Sequence, residues 1–207
     1  MARPKKDKQI SKELLLSAAL DEFCEKGFHK TKLEDIAKRA NVSRGAIYWH
    51  FKDKSDFYVS LIKTSSEIVE SKFLDIIQNS SSAGDGLRLG LTEYFRFLKE
   101  DENFLKVKKL ESRKFETSFD LPELEIHFKE RVIYWQNALG EIIQKGIDNH
   151  EFRKDIDVEA VALQFICTVI GIEDFYFTNL GKINLLEHGG FFVDSILKNI
   201  GETKEDK

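Results

Sequence analysis

The sequence predicts an all-α protein in which a small three-helix unit is joined by a long helix to a larger helical body. Two observations carry this reading. The 207 residues hold only two prolines, Pro4 and Pro122, so helix breakers are scarce among many Leu, Ile, Lys and Glu. Apolar residues recur at helical spacing from Ile10 to Ile200, and no segment alternates cleanly with period two. With 42% hydrophobic and 33% charged residues, the chain has too much apolar content to stay disordered and enough length for a sizeable core. No unbroken apolar stretch approaches the roughly 18 residues needed to span a bilayer. The first residues, MARPKKDKQ, are basic, but no apolar region follows them, so a secretory leader is not expected. Cys24 and Cys167 lie far apart in apolar surroundings. They predict inert thiols, no disulfide framework and a cytoplasmic location.

Each element has its own signals. A basic arm precedes a first helix that carries Leu14, Leu15, Ala18, Ala19 and Phe23. Gly27, followed by Phe28, reads as a glycine just past a helix end. Thr31, Lys32, Leu33 and Glu34 read as a capping box, with Glu34 reaching back to the start of a second helix. That helix stops at Asn41 and Val42, and Ser43 caps a short third helix, RGAIYWHF. Asp53 and Asp56 cap a long fourth helix over about 54–78. The stretch from Asn79 to Gly86 is expected to be a helix–helix connection, since its glycines lack the spacing of a dinucleotide-binding loop. Further helices are expected over about 87–99, 103–118, 122–147, 157–178 and 184–200. The expected domains are 1–53 and 54–207.

Charge divides unevenly between these parts. The formal net charge is −4, yet residues 1–60 hold 13 Lys/Arg against 9 Asp/Glu, a net of +4, and the remainder carries −8. A basic end on an acidic body suggests that only the first part meets a polyanion. The second and third helices are separated by about three residues, the helix-turn-helix arrangement whose second helix enters the major groove of DNA. Arg44 can reach a base edge or a phosphate, and Gly45 and Ala46 are small enough for close approach. Tyr48, Trp49 and His50 are consecutive, so one core cannot bury all three. Ile47 and Phe51, four apart, make the better core pair. Lys52 and Lys54 extend the positive surface, and Thr31 and Lys32 stand at a helix start that suits a phosphate. The alternative is a helical hairpin with surface aromatics.

The segment from Leu15 to Asp56 resembles the DNA-binding domain of the tetracycline-repressor family. The likeness rests on Gly27-Phe28, Thr31, Asp35-Ile36-Ala37, Val42-Ser43 and Tyr48-x-His50-Phe51-x-x-Lys54. RGAIYWHFKDKSD is particularly similar to the multidrug-efflux repressors of that family. The resemblance implies a helical homodimer that binds a palindromic operator and lets go when a small hydrophobic effector binds. By the same resemblance Thr31, Ser43, Arg44, Tyr48, Trp49, His50 and Lys54 line the DNA face. Tyr48, His50 and Lys54 would mostly hold phosphates, and Arg44, Gly45, Ala46 and Trp49 would face bases. Repression is favoured over activation by the resemblance alone.

The acidic body holds 13 of the 17 phenylalanines. Phe104, Val107 and Phe115 share one helix face with Glu111 in its middle; Phe128 and Trp135 share another with Arg131. A charge on an apolar face is paired or functional, because burying it alone costs several kcal/mol. One reading is an aromatic ligand pocket in which Glu111 or Arg131 meets a ligand charge. The other is that the two pair with each other or reach solvent. In the last two helices, Phe165, Val169, Leu185, Gly189, Phe192 and Ile196 are expected at a four-helix dimer interface, with Gly189 admitting a partner helix. The alternative is packing within one subunit.

Two other function classes compete with a regulator. The five histidines are scattered, and neither His-Glu-x-x-His nor Cys-x-x-Cys occurs, so no metal, no cofactor and no catalytic residue is expected. A helical adaptor that binds only protein is the remaining alternative, separated from the regulator by sequence-specific DNA binding.

Overall fold

The computed structural model describes residues 12–112, 121–178 and 183–201. Among them the regular structure is helical: α1 (Lys12–Lys30), α2 (Leu33–Arg39), α3 (Arg44–Ile47), α4 (Lys54–Gln78), α5 (Ala83–Glu100), α6 (Glu102–Ser112), α7 (Pro122–Asp148), α8 (Val158–Thr178) and α9 (Leu185–Ile200). The sole β pairing among these residues is an isolated bridge between Phe152 and Gly201. The chain forms two compact units. The first runs to Ser65 and resumes over Lys106–Glu123, and the second comprises Ser66–Leu105 and the chain from Leu124 onward.

In the first unit α1 breaks at Gly27, whose φ of 77° is a left-handed conformation that glycine adopts at no steric cost. Thr31 turns its hydroxyl back onto the Gly27 carbonyl at 2.7 Å and is buried. That corrects the capping box. The residue before α2 is Lys32, and Asp35 rather than Glu34 takes its backbone N–H, at 3.3 Å. The expected helix of eight residues after Ser43 is shorter: α3 ends at Ile47, and His50 and Phe51 both donate to the Ile47 carbonyl in a closing turn. Asn41 takes the left-handed turn between α2 and α3 with φ 55°. The core of this unit is aromatic, with Phe23 edge-on to Tyr58 at 4.8 Å and Phe51 to Phe57 at 3.8 Å between ring centroids. The second half of α6 belongs to this unit through Lys106, which pairs with Asp21 at 2.9 Å, and through Leu110, whose carbonyl accepts from the Tyr58 hydroxyl at 3.4 Å.

In the second unit two apolar clusters hold the helices. One joins Leu87 of α5, Leu139 and Ile143 of α7, Ala162 and Phe165 of α8, and Val193 and Ile196 of α9. The other joins Phe73 of α4, Phe95 and Leu98 of α5, Phe104 of α6, Ile172 of α8 and Leu185 of α9. Trp135 packs against both. The connection expected over 79–86 is shorter than the sequence suggests, because α5 already starts at Ala83. Its glycines serve helix contact. A Cβ on Gly86 would sit 2.7 Å from the Ile77 carbonyl oxygen, and one on Gly90 would sit 2.6 Å from the Ile77 side chain. The Glu151 carboxylate accepts from the backbone N–H of Ala83 and Gly84 at 3.1 and 3.0 Å, closing the start of α5.

Two expectations about α8 need correcting. By length and composition it is apolar enough to cross a membrane, because its charges, Glu159, Glu173 and Asp174, stand near its ends and leave the middle uncharged. It packs as a core helix on one side, through Val161, Ala162, Phe165 and Ile172, and exposes Leu163, Ile170 and Phe175 on the other. Cys167 lies on the exposed side instead of in apolar surroundings.

Candidate nucleic-acid interface

The residues of α3 and of the turn that closes it divide sharply by exposure. Ile47 is fully buried and Phe51 nearly so, which anchors the helix to the core of the first unit. Tyr48 and His50 stand outside, and Trp49 is 88% exposed, an apolar cost that packing among the described residues does not offset. Ser43 caps the helix, its hydroxyl accepting from the Ala46 N–H at 3.3 Å. A Cβ on Gly45 would meet only the Ser43 hydroxyl, at 3.9 Å, so among the described residues no neighbour requires glycine there. A small residue with open space beside it suits close approach from outside.

The cationic groups around this face differ in how they are held. Lys32 and Lys52 are exposed. The Arg44 guanidinium pairs with the Glu34 carboxylate and donates to the Tyr48 hydroxyl from Nε at 3.3 Å and from Nη2 at 2.9 Å. Hydrogen bonding to Tyr48, then the charge of Glu34, holds the Arg44 pKa above its ordinary value. Lys54 is placed differently from the other cations. Its ammonium donates to the carbonyls of Phe28 and His29 at 2.8 and 3.3 Å and lies 4.5 Å from the Phe28 ring centroid. It closes the C-terminal end of α1, and burial pulls its pKa below the usual lysine value. Thr31, also expected on the DNA face, spends its hydroxyl on the carbonyls of Gly27 and Glu22.

Behind the face, ion pairs stiffen α1 against α2. Arg39 reaches Asp21, Glu22 and Glu25, and Lys26 reaches Glu22 and Asp35. Burial raises the Glu22 pKa, but hydrogen bonds from Lys26 and Arg39 outweigh it and leave the carboxyl below its usual range. This network was not anticipated from the sequence. Its signal is the charge order of α1, in which Asp21, Glu22 and Glu25 lie within one turn of each other.

The expected ligand-pocket residues are distributed between the two units. Val107 and Glu111 lie in the first, and Phe104, Phe128, Arg131 and Trp135 in the second. Phe115 lies outside the described residues. Glu111 pairs with Lys108 at 2.7 Å and Arg131 with Glu70 at 2.6 Å, so each charge on an apolar face has an acid–base partner of its own. The aromatic cluster that does form sets the rings of Phe73, Tyr94, Phe97 and Phe104 edge to face, 5.1 to 6.5 Å apart, with the Tyr94 hydroxyl bonded to Glu173. Glu173, a carboxylate inside the apolar run of α8, was the overlooked signal for it.

The expected interface residues also separate. Phe165, Leu185 and Ile196 are buried within the second unit. Gly189 admits a neighbour from its own chain: a Cβ there would lie 2.5 Å from the Phe95 ring. Phe192 stays exposed at 44%, and Val169 is partly buried against the second cluster.

Comparison with known proteins agrees with this arrangement. Residues 15–61 match the model of the bacterial regulatory proteins of the tetR family. Over those residues the chain carries the DNA-binding domain of that family. Over 155 residues it is 28% identical to the fatty acid metabolism regulator protein of Bacillus subtilis, covering 75% of this chain and 77% of the relative. It is 40% identical over 88 residues to the transcriptional regulator AcrR of Shigella flexneri, covering 42% and 40% of the two chains. The crystal structure of the regulator FadR from Bacillus subtilis in complex with stearoyl-CoA superposes with a TM-score of 0.76 at 25% identity, over 92% of this chain and all of that one.

Proposed function

We propose that this tetR-family chain is a transcriptional repressor that grips a palindromic operator as a homodimer and is released by a long-chain hydrophobic effector. The observation that carries the DNA part is α3. With the turn that follows it, α3 buries Ile47 and presents Arg44, Gly45, Tyr48, Trp49 and His50 outward, beside exposed Lys32 and Lys52. In this reading Arg44, Gly45, Ala46 and Trp49 meet base edges, while Lys32, Lys52, Tyr48 and His50 meet phosphates. Lys54 and Thr31 serve the site by fixing the α1–α2 corner that supports it. Residues 1–53 form the DNA-binding part and 54–207 the regulatory and dimerising part of this reading.

The effector class rests on the Bacillus subtilis relatives, one a regulator of fatty acid metabolism and one holding stearoyl-CoA, and on the apolar, aromatic interior of the second unit. A ligand releases DNA only if it binds the DNA-free conformation more tightly. A homodimer is supported by the outward faces of α8 and α9. Leu163, Ile170, Phe175, Phe191 and Phe192 are exposed there, and a Cβ on Gly171 or Gly190 would meet no atom within 4 Å. Selection from random duplexes should enrich a palindrome, and stearoyl-CoA should displace the protein from it. Enrichment of no motif would overturn the repressor reading; displacement by no acyl thioester would overturn the effector class alone.

A further inference from the structure

The sequence assigns Glu34 to a helix cap, and the structure gives that cap to Asp35. Glu34 is left on the outer face of α2, exposed, with its carboxylate on the Arg44 guanidinium. Both side chains are about half open to solvent, 52% for Glu34 and 56% for Arg44, so the pair adds little to folding. A carboxylate next to a cationic DNA-facing surface works against binding to a polyanion. Its position, two residues from exposed Lys32 and in contact with the arginine best placed to read a base, therefore calls for an account in terms of DNA.

We propose that Glu34 is a specificity-determining residue that acts through Arg44, making attachment to arbitrary DNA costly while leaving the operator contact intact. This rests on the repressor reading. The guanidinium has five N–H donors, of which Nε and Nη2 face the Tyr48 hydroxyl and Nη1 faces Glu34. On arbitrary sequence the easiest use of Arg44 is a phosphate contact. Turning to a phosphate takes the guanidinium from Glu34 and leaves that carboxylate unpaired beside the polyanion. On a matching sequence a guanine offers O6 and N7, neutral acceptors in the groove. Arg44 can reach them while Glu34 still neutralises it, so the charge balance at the interface does not change. Tyr48 and Glu34 together fix the plane of the guanidinium, which a bidentate base contact requires and a phosphate contact does not.

The test uses the full-length protein, the duplex enriched by wild type from a random pool, and a scrambled duplex of the same length and composition. Glu34→Gln keeps the shape and removes the charge. It should tighten binding to the scrambled duplex about five-fold or more and steepen its salt dependence by about one unit of log K per log salt, one extra phosphate neutralised. Binding to the enriched duplex should change by less than about two-fold, so the preference ratio falls. In an Arg44→Ala background the same substitution should leave the ratio unchanged, since the arginine through which Glu34 acts is gone. An unchanged ratio in Glu34→Gln, or an equal fall in both backgrounds, overturns the proposal while the repressor reading stands. A wild-type protein that does not distinguish the two duplexes overturns both. Glu34 is exposed, so thermal melts of the variants should match wild type and confirm that folding does not enter.

Discussion

The two units use aromatic residues in opposite ways. In the second, Phe73, Tyr94, Phe97 and Phe104 close on one another edge to face, and each ring's exposure is lowered by its neighbours. In the first, Phe23, Phe51, Phe57 and Tyr58 do the same, but Tyr48 and Trp49 are left standing in solvent just past a four-residue helix. The charges show the same contrast. Glu111 and Arg131, within apolar faces, are each held by a neighbouring opposite charge. Arg44 is held as well, but by exposed groups that a nucleic acid can displace. A side chain whose cost is met by its surroundings speaks of architecture, and one whose cost is not met speaks of a partner.

The largest expected effect separates packing within the chain from packing between copies. Gly189 lies against the Phe95 ring and Gly190 faces open space, although they are adjacent. Gly189→Leu should destabilise the fold of the isolated chain by about 1–3 kcal/mol, read from urea unfolding, because the ring must move. Gly190→Leu should leave chain stability within about 0.5 kcal/mol and instead weaken the dimer in sedimentation. Equal effects of the two on chain stability would erase the distinction between the buried and open faces of α9.

The next effect concerns two lysines near the DNA face. Lys54→Met removes two hydrogen bonds to the end of α1 and should cost about 1–2 kcal/mol of stability in the absence of DNA. Lys32→Ala should leave stability alone and lower the salt dependence of DNA binding by about one phosphate. A smaller effect follows acidity. The Glu22 and Asp35 carboxyls are depressed by their bonds to Lys26, and in Glu22 also to Arg39. A carboxyl whose folded value is depressed contributes stability above its unfolded value and loses it as pH falls through the folded one. Thermal melts should therefore drop as pH falls below about 4. Glu22→Gln should start lower at pH 7 and lose less on acidification.

Four of the long helices were legible in the sequence almost to the residue, because a long apolar stripe leaves one solution; α5, whose start holds Gly84 and Gly86, was not. The bounds of α4, α7, α8 and α9 differ from expectation by at most a residue or so. Short-range competition was not legible. Thr31, Glu34 and Asp35 all have the chemistry to close the start of α2, and only the fold, which turns Thr31 toward Gly27, decides that Asp35 does it. Glycines misled for a related reason. A glycine that loosens a loop and one that admits a neighbouring helix read identically, so Gly86 pointed to a connection and Gly189 to a partner chain. At the candidate site the core pair Ile47 and Phe51, and the impossibility of burying Tyr48, Trp49 and His50 together, were readable from spacing alone. The pairing of Glu34 with Arg44 joins two helices, and no spacing within one helix encodes it.

The central claim is that the outer face of α3 enters DNA, and Trp49 reports on it directly. Its indole is 88% exposed in the free protein, so its emission should be that of a hydrated tryptophan. The difference between wild type and Trp49→Phe isolates this signal from Trp135. On addition of the duplex enriched by selection, that difference emission should quench or shift and saturate at one dimer per palindrome, with the scrambled duplex giving little change at the same concentration. A difference emission that stays constant while a mobility shift shows the protein fully bound would contradict the account.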